Sequence, residues 1–179
     1  SNYLFIAGTR PEIVKISPLV NKLNAQVLLT GQHFKKEMIA DFLPLMNPSN
    51  LINLELEEFK DFQKNRYKIS ELIKSTILKL DCDNVFVLGD TNTTLVGAVA
   101  AKSANKKLFF IESGLRTKDL NQIEEYNRLI VSHLADINFC NHQNNVDNLK
   151  NEGIKENKIK LTGSTCLLYT SDAADDTCC

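Results

Sequence analysis

The stretch NVFVLGDTNTTLVGAVAAKSANKKLFFIESG, from residue 84 to residue 114, decides the fold of this chain. Residues 84–90 and 107–114 are continuous apolar runs that end in glycine and acidic residues, which is typical of parallel strands buried on both faces. The intervening residues 91–104 include several small side chains that allow a helix to pack closely on a sheet. The stretch therefore predicts a strand-helix-strand unit with its charged residues at the carboxyl ends of the strands.

The same alternation continues on both sides of this unit. Further strands are predicted over residues 3–7, 25–30, 51–56, 137–140 and 158–161. Helices are predicted from Pro11 onward, near residues 36–42, along the apolar stripe from Ile69 to Leu80, and over residues 124–135 and 143–152. About seven strands joined by right-handed crossovers predict an α/β fold with a doubly wound, Rossmann-like parallel sheet.

The composition limits the classes of function. The chain has 179 residues with 21 basic and 22 acidic side chains, so it suits about one globular domain and lacks the bulk positive charge that nucleic-acid binding requires. No apolar run of about 18 residues occurs, and no charged-then-apolar segment precedes the first predicted strand, so we expect no membrane insertion and a cytoplasmic protein. Cys82 and Cys140 lack metal-ligand spacing and are expected to be buried thiols.

Charged residues follow four of the predicted strands or open the next helix. Ligands of open α/β sheets bind outside the carboxyl ends of the strands, so these residues are the candidates for chemistry. A mixture of acids and bases at this edge suits an anionic substrate that undergoes proton transfer. The candidates are Arg10, Glu12, Lys15, Asp90, Glu112, Arg116, Glu124, Glu125, Asn127 and Arg128.

Each of these residues also has a structural interpretation. Arg10 and Glu12 could form a surface ion pair, Asp90 could cap a helix, and the two adjacent glutamates could simply favour a helix start. Several charges at one edge favour function over these interpretations, because buried charge is costly without a partner or a task. Neither a dinucleotide-binding GxGxxG, nor a P-loop, nor a GxSxG serine elbow occurs in the sequence.

Six segments, read in order, resemble the UDP-N-acetylglucosamine 2-epimerase family. They are AGTRPEIVKISPLV, LTGQH, LGDTNTTLVGAVAA, IESGLRTKDL, IEEYNRLIVSHLADINFC and LTGST, and together they run through nearly all of residues 3–165. The resemblance implies a GT-B architecture of two Rossmann-like domains, in which residues 1–165 form the amino-terminal domain and the carboxyl-terminal domain is missing. Residues 166–179, with three acids, three cysteines and no base, are expected to be non-native; a disordered natural tail is the alternative.

The resemblance also implies an activity. Members of the non-hydrolysing branch interconvert UDP-GlcNAc and UDP-ManNAc by eliminating UDP and adding it back, without a metal or redox cofactor, and supply units for cell-envelope polysaccharides. A hydrolysing branch releases ManNAc and UDP, and the sequence leaves this choice open. The family pattern further implies a homodimer when the protein is full length. A GT-B glycosyltransferase and a non-catalytic nucleotide-sugar-binding module are the alternatives from other classes.

Site residues carry over from the family motifs position by position. The implied catalytic carboxylates are Asp90, Glu112 and Glu124, and the implied substrate-binding residues are Arg10, Lys15, Arg116, Asn127 and Arg128. Gln32 and His33 match a pair that contacts a second, regulatory UDP-GlcNAc in the non-hydrolysing branch. Three positions depart from the pattern, with Ile123 in place of Pro, Ser113 in place of Ala and Phe110 in place of His; the first is expected to loosen the helix start that aims Glu124.

Overall fold

A computed structural model describes residues 2–30, 44–54, 56 and 61–163 of the chain. The strands are β1 (Tyr3–Ala7), β2 (Gln26–Leu29), β3 (Leu51–Asn53), β4 (Asn84–Leu88), β5 (Lys107–Ile111), β6 (Ile137–Cys140) and β7 (Ile159–Leu161). They form one sheet in the order β3-β2-β1-β4-β5-β6-β7, and every neighbouring pair is parallel. The predicted doubly wound parallel sheet is therefore confirmed.

The described helices are α1 (Arg10–Leu23), α2 (Phe62–Lys79), α3 (Asn92–Ser103), α4 (Ile123–Leu134) and α5 (Gln143–Asn151). Short 3-10 turns occur at Pro48–Asn50 and Glu156–Lys158. None of these helices is long and apolar enough to cross a membrane. The helix predicted near residues 36–42 and the segment 166–179 lie outside the described residues.

The two faces of the sheet are covered by different helices. Because side chains alternate along a strand, β1 contributes to two separate cores. On one face, Leu4 and Ile6 belong to the same buried cluster as the α2 stripe of Ile69, Ile73 and Ile77. On the other face, Phe5 and Ala7 belong to a cluster with Ile13, Ile16 and Val20 of α1. Cys82 and Cys140 are buried free thiols, as predicted.

Several strands end earlier than the apolar runs predict. β4 stops at Leu88 because Gly89 turns the chain with a φ of 85°, and β5 stops at Ile111 because Glu112 has a φ of 57°. β3 ends at Asn53 rather than near residue 56. These early turns bring the residues after β4 and β5 to the edge where the strand order reverses, between β1 and β4, and this reversal opens a crevice for ligands.

Candidate functional site

The start of α1 is built by a capping box. Thr9 Oγ1 accepts a hydrogen bond from Glu12 N at 3.4 Å, and Glu12 Oε2 accepts from Gly8 N at 2.7 Å and Thr9 N at 3.1 Å. This pattern satisfies backbone donors that the first helical turn would leave unpaired. The Glu12 carboxylate is therefore turned back toward the strand end rather than paired with Arg10, which is exposed.

The turn after β4 brings Asp90 beside this capping box. A Cβ atom on Gly89 would lie 3.0 Å from Glu12 Oε1, so a side chain there would push the Glu12 carboxylate aside, and the positive φ independently favours glycine. Thr91 caps α3, because its Oγ1 accepts from Thr94 N at 3.3 Å. Thr91, and not Asp90, is therefore the cap of this helix. The side chain of Asp90 is 38% exposed.

The turn after β5 holds Glu112 in an unusual backbone conformation. A φ of 57° lies in the left-handed region, which costs a residue other than glycine about 1–2 kcal/mol. The next residue secures the turn, because buried Ser113 donates from its backbone N to Phe139 O at 2.8 Å and from its Oγ to Asn138 Oδ1 at 2.7 Å. Lys15 Nζ donates to Glu112 Oε2 at 2.9 Å across the crevice. The serine that departs from the family pattern therefore makes a hydrogen bond that alanine cannot make.

The first turns of α4 supply a cation. Arg128 Nη1 donates to Asp90 Oδ2 at 2.6 Å, while its Nε and Nη2 donate to Glu125 Oε2 at 3.0 Å and 2.9 Å. Asn127 Nδ2 donates to the Asp90 carbonyl oxygen at 2.8 Å. The α4 residues consequently hold both the backbone and the side chain of Asp90.

These turns surround a pocket of about 300 Å³. Its lining includes four of the residues assigned from the family motifs, and their charges alternate in contacting pairs. They are Lys15 with Glu112 and Arg128 with Asp90; Thr9, Pro11, Glu12, Leu88, Gly89, Thr91 and Leu115 complete the wall. Asn127 contacts Asp90 from behind this wall.

Three of the residues assigned from the family motifs lie elsewhere. Arg10 and Glu124 are exposed at the first turns of their helices and do not line this pocket. Arg116 has a side chain only 3% exposed, with Nε and Nη2 donating to Glu152 at 2.7 Å and 2.9 Å and Nη2 also donating to Ser132 Oγ at 2.8 Å. Their assigned roles stay predictions. Gln32 and His33 lie outside the described residues.

Burial has different outcomes for the pKa values of two glutamates at this edge. Burial raises the pKa of Glu12 above its ordinary value of 4.5, and the negative charge of Asp90 adds to this effect, although the backbone N–H groups of Gly8 and Thr9 oppose it. Burial also disfavours charge on Glu125, but hydrogen bonds from Lys118, Thr117 and Arg128 outweigh it and lower its pKa. A carboxyl of raised pKa beside Asp90 can hold a proton more readily than an exposed one.

Glu12 and Glu125 are the residues that the carried-over site assignment omits. The spacing Thr9-x-x-Glu12 is a capping-box signature that is visible in the sequence. Glu125 and Arg128 are three positions apart, a spacing that puts both on one helix face. Among the described residues, no group of three or more His, Cys, Asp or Glu side chains is arranged to hold a metal ion.

Comparisons with known proteins agree with the resemblance in the sequence. A sequence model of the family described as UDP-N-acetylglucosamine 2-epimerase matches residues 19–176. A UDP-N-acetylglucosamine 2-epimerase of Methanocaldococcus jannaschii is 36% identical over 166 residues, covering 89% of this chain and 45% of that protein. The chain thus spans about half the length of the curated relatives it matches.

Solved structures show the same likeness. The Methanocaldococcus jannaschii UDP-GlcNAc 2-epimerase in complex with UDP-GlcNAc and UDP is 32% identical with a TM-score of 0.77, over 90% of this chain and 46% of that one. The Neisseria meningitidis UDP-GlcNAc 2-epimerase bound to UDP-GlcNAc is 29% identical with a TM-score of 0.80, over 90% of this chain and 46% of that one.

Proposed function

The chain belongs to the UDP-N-acetylglucosamine 2-epimerase family, and from this premise we propose that the protein interconverts UDP-GlcNAc and UDP-ManNAc. One observation carries the proposal: the carboxylates of Asp90 and Glu112 line one pocket, and a cation contacts each of them. Removal of a proton from a sugar carbon needs a positioned carboxylate, and departure of a diphosphate needs positive charge. The wall of this pocket contains both the carboxylates and the positive charges that the reaction needs.

The proposed reaction has two halves. A carboxylate removes the proton from C2 while the C1–O bond breaks, so the electron pair of the C–H bond forms the C1=C2 double bond of 2-acetamidoglucal and UDP leaves with the bonding electrons. A carboxylic acid then protonates C2 on the opposite face, and a β-phosphate oxygen of UDP forms the new bond to C1. Lys15 and Arg128 are proposed to neutralise the diphosphate, with Arg10, Asn127 and Arg116 as the other proposed substrate-binding residues.

The domain arrangement and the roles of the remaining predicted residues are also part of the proposal. We propose that residues 1–165 form the amino-terminal domain of a two-domain GT-B enzyme, with Glu124 as a third catalytic carboxylate. Gln32 and His33 are proposed to contact a second UDP-GlcNAc. A cytoplasmic location fits the use of a nucleotide sugar.

A homodimer is also proposed for the full-length protein. Ile123, Tyr126 and Ile130 recur at helical spacing on α4 and are each more than 40% exposed, and Val99 of the adjacent helix α3 is exposed as well. An apolar stripe of this kind is suited to burial against a second copy of the same face, since closed dimers use one patch twice. Light scattering of the full-length protein measures the number of copies.

The experiment that tests the activity incubates the full-length protein with UDP-GlcNAc in D₂O and follows the products by NMR. We expect UDP-ManNAc with deuterium at C2. Free ManNAc with UDP would instead indicate the hydrolysing reaction, turnover only with an added acceptor would indicate a glycosyltransferase, and binding without turnover would indicate a module.

Substitutions in the two pocket carboxylates test the site. Asp90→Asn and Glu112→Gln are each expected to lower kcat by about 10²–10⁴-fold, the usual contribution of a positioned acid or base. The exposed Glu156, paired with Lys150 at 2.8 Å, provides the matched control Glu156→Gln, which should leave kcat unchanged. Normal turnover by either pocket variant would contradict the proposed site.

A further inference from the structure

We propose that Glu125 is a positioning residue that orients the Arg128 guanidinium, so that Arg128 holds a single oxygen of Asp90 and leaves the other for the substrate. The inference rests on the proposed function, because it assigns Glu125 a part in that reaction. Glu125 does not line the pocket and acts only through Arg128.

The division of the Arg128 donors is the first observation. A guanidinium can form two parallel hydrogen bonds to one carboxylate, and such a pair is strong and geometrically specific. Here Nε and Nη2 are both directed to Glu125 Oε2, which leaves Nη1 for Asp90 Oδ2. Among the residues that the structure describes, none donates a hydrogen bond to Asp90 Oδ1. Glu125 therefore takes the paired contact that Asp90 would otherwise receive.

The rigidity of Glu125 is the second observation. Its side chain is only 2% exposed, and its carboxylate accepts hydrogen bonds from Thr117 N at 3.1 Å and Lys118 N at 2.9 Å. These donors belong to the loop between β5 and α4, so the carboxylate is held from outside its own helix. The lowered pKa of Glu125 agrees with a charged group at neutral pH.

The third observation is the shared charge. Arg128 is 8% exposed and lies between two carboxylates, so one cation is shared by two anions. Without the Glu125 charge, the guanidinium is free to rotate and form the paired contact with Asp90. That contact would engage both Asp90 oxygens and displace the carboxylate from its position toward the substrate. Misplacement of a reacting group by about 1 Å can cost about 10²-fold in rate.

The test compares Glu125→Gln with the wild type in the full-length protein, with UDP-GlcNAc as the substrate. Glutamine keeps the shape of the side chain and an acceptor oxygen for the loop, but it removes the charge that holds Arg128. We expect kcat to fall by about 10–100-fold while KM changes by less than about twofold. Glu156→Gln, the same substitution at an exposed acid outside the pocket, is the control.

A second background separates positioning from a purely structural role. In Arg128→Lys, the guanidinium fork is absent, so adding Glu125→Gln should lower kcat by less than about twofold further. If Glu125 only secures the loop through Thr117 and Lys118, its substitution should cost the same in both backgrounds, and the inference is then wrong. An unchanged kcat, or a change confined to KM, also overturns it.

Two controls keep the outcomes distinct. Should Glu125→Gln fail to fold, Glu125→Asp takes its place, because it keeps the charge and withdraws the carboxylate by one methylene. In a protein that keeps Arg128, we expect Glu125→Asp to lower kcat. An unchanged kcat in this variant overturns the inference. If the wild type itself does not epimerise UDP-GlcNAc, the proposed function fails and the assignment of Glu125 falls with it. If the wild type is active and the variants match it, only the assignment of Glu125 fails.

Discussion

The starts of α1 and α4 face the same strand-end turn and each holds a buried glutamate, but the pKa values of the two glutamates shift in opposite directions. Glu12, at the start of α1, accepts two backbone hydrogen bonds, and Glu125, at the start of α4, accepts backbone hydrogen bonds from Thr117 and Lys118 of the loop before that helix. Both carboxyls are buried, yet the pKa of Glu12 is raised and that of Glu125 is lowered. Backbone donors alone therefore do not decide the direction of the pKa shift.

Burial raises the pKa of both glutamates and backbone hydrogen bonds lower it, and a charged neighbour adds to the contrast between them. Glu125 contacts Arg128 at 2.9 Å, whereas the charge that acts on Glu12 is the negative charge of Asp90. The α4 start is thus a charge-compensated network, and the α1 start places a carboxyl of higher proton affinity in the pocket wall. The Arg128 cation adds to the hydrogen bonds from Lys118 and Thr117 in lowering the pKa of Glu125, whereas the charge of Asp90 adds to burial in raising the pKa of Glu12.

Removal of that cation should produce the largest effect. Arg128→Met leaves Glu125 buried without its partner, and we expect the free energy of unfolding to fall by about 3–5 kcal/mol. The measurement is urea unfolding at neutral pH. Lys150→Met, which breaks an exposed pair, is the control and should change stability by less than about 1 kcal/mol. Equal effects of the two substitutions would show that burial of the network contributes nothing.

The pH dependence of Glu12→Gln gives an intermediate effect. Because the folded-state pKa of Glu12 is raised, the stability that it contributes is fully present below its ordinary value of 4.5 and is lost as pH rises through the folded-state pKa. The wild type should therefore gain stability relative to Glu12→Gln as pH falls, and glutamine preserves the capping box. Unfolding of both proteins at a series of pH values measures the difference.

The opposite sign is expected for Glu125. Its folded-state pKa is lowered, so its contribution is present above 4.5 and is lost as pH falls through the folded-state pKa. If the difference in the free energy of unfolding between the wild type and Glu12→Gln stays constant with pH, the pKa of Glu12 is not raised and the contrast in pKa between the two helix starts is wrong.

The smallest effect concerns the caps themselves. Thr9 caps α1 with its side chain, whereas Gln122 at the start of α4 makes no such hydrogen bond. Gln122→Ser should stabilise the protein by about 0.5–1 kcal/mol, and Thr9→Ala should destabilise it by a similar amount. Thermal unfolding of both variants checks the pair, and a destabilising Gln122→Ser would mean that the existing side chain is needed there.

Much of this fold could be predicted because its signals are local. Residues close in sequence are enough to recognise the apolar runs of β4 and β5 and the α2 stripe of Ile69, Ile73 and Ile77. The strand ends were less predictable: a run such as residues 107–114 continues in composition, but the backbone of Glu112 turns it earlier.

The site was predictable in kind but not in detail. Motif order placed Lys15, Asp90, Glu112 and Arg128 at one edge, and the structure brings these four into one pocket. It directs Arg116 instead to Glu152, which is 36 residues away in sequence. Between the adjacent acids Glu124 and Glu125, only the second is buried against Arg128.

By itself, the sequence determined the alternation of strands and helices, the family, and the set of charged residues that follow the strands, because these depend on periodicity and short motifs. Only the tertiary structure decided which charge meets which, since Lys15 and Glu112 are 97 residues apart and Arg128 and Asp90 are 38 apart. The pKa of a carboxylate depends on its burial, on its hydrogen bonds and on the nearest charge in space. Those quantities exist only once the sheet has brought its strand ends together.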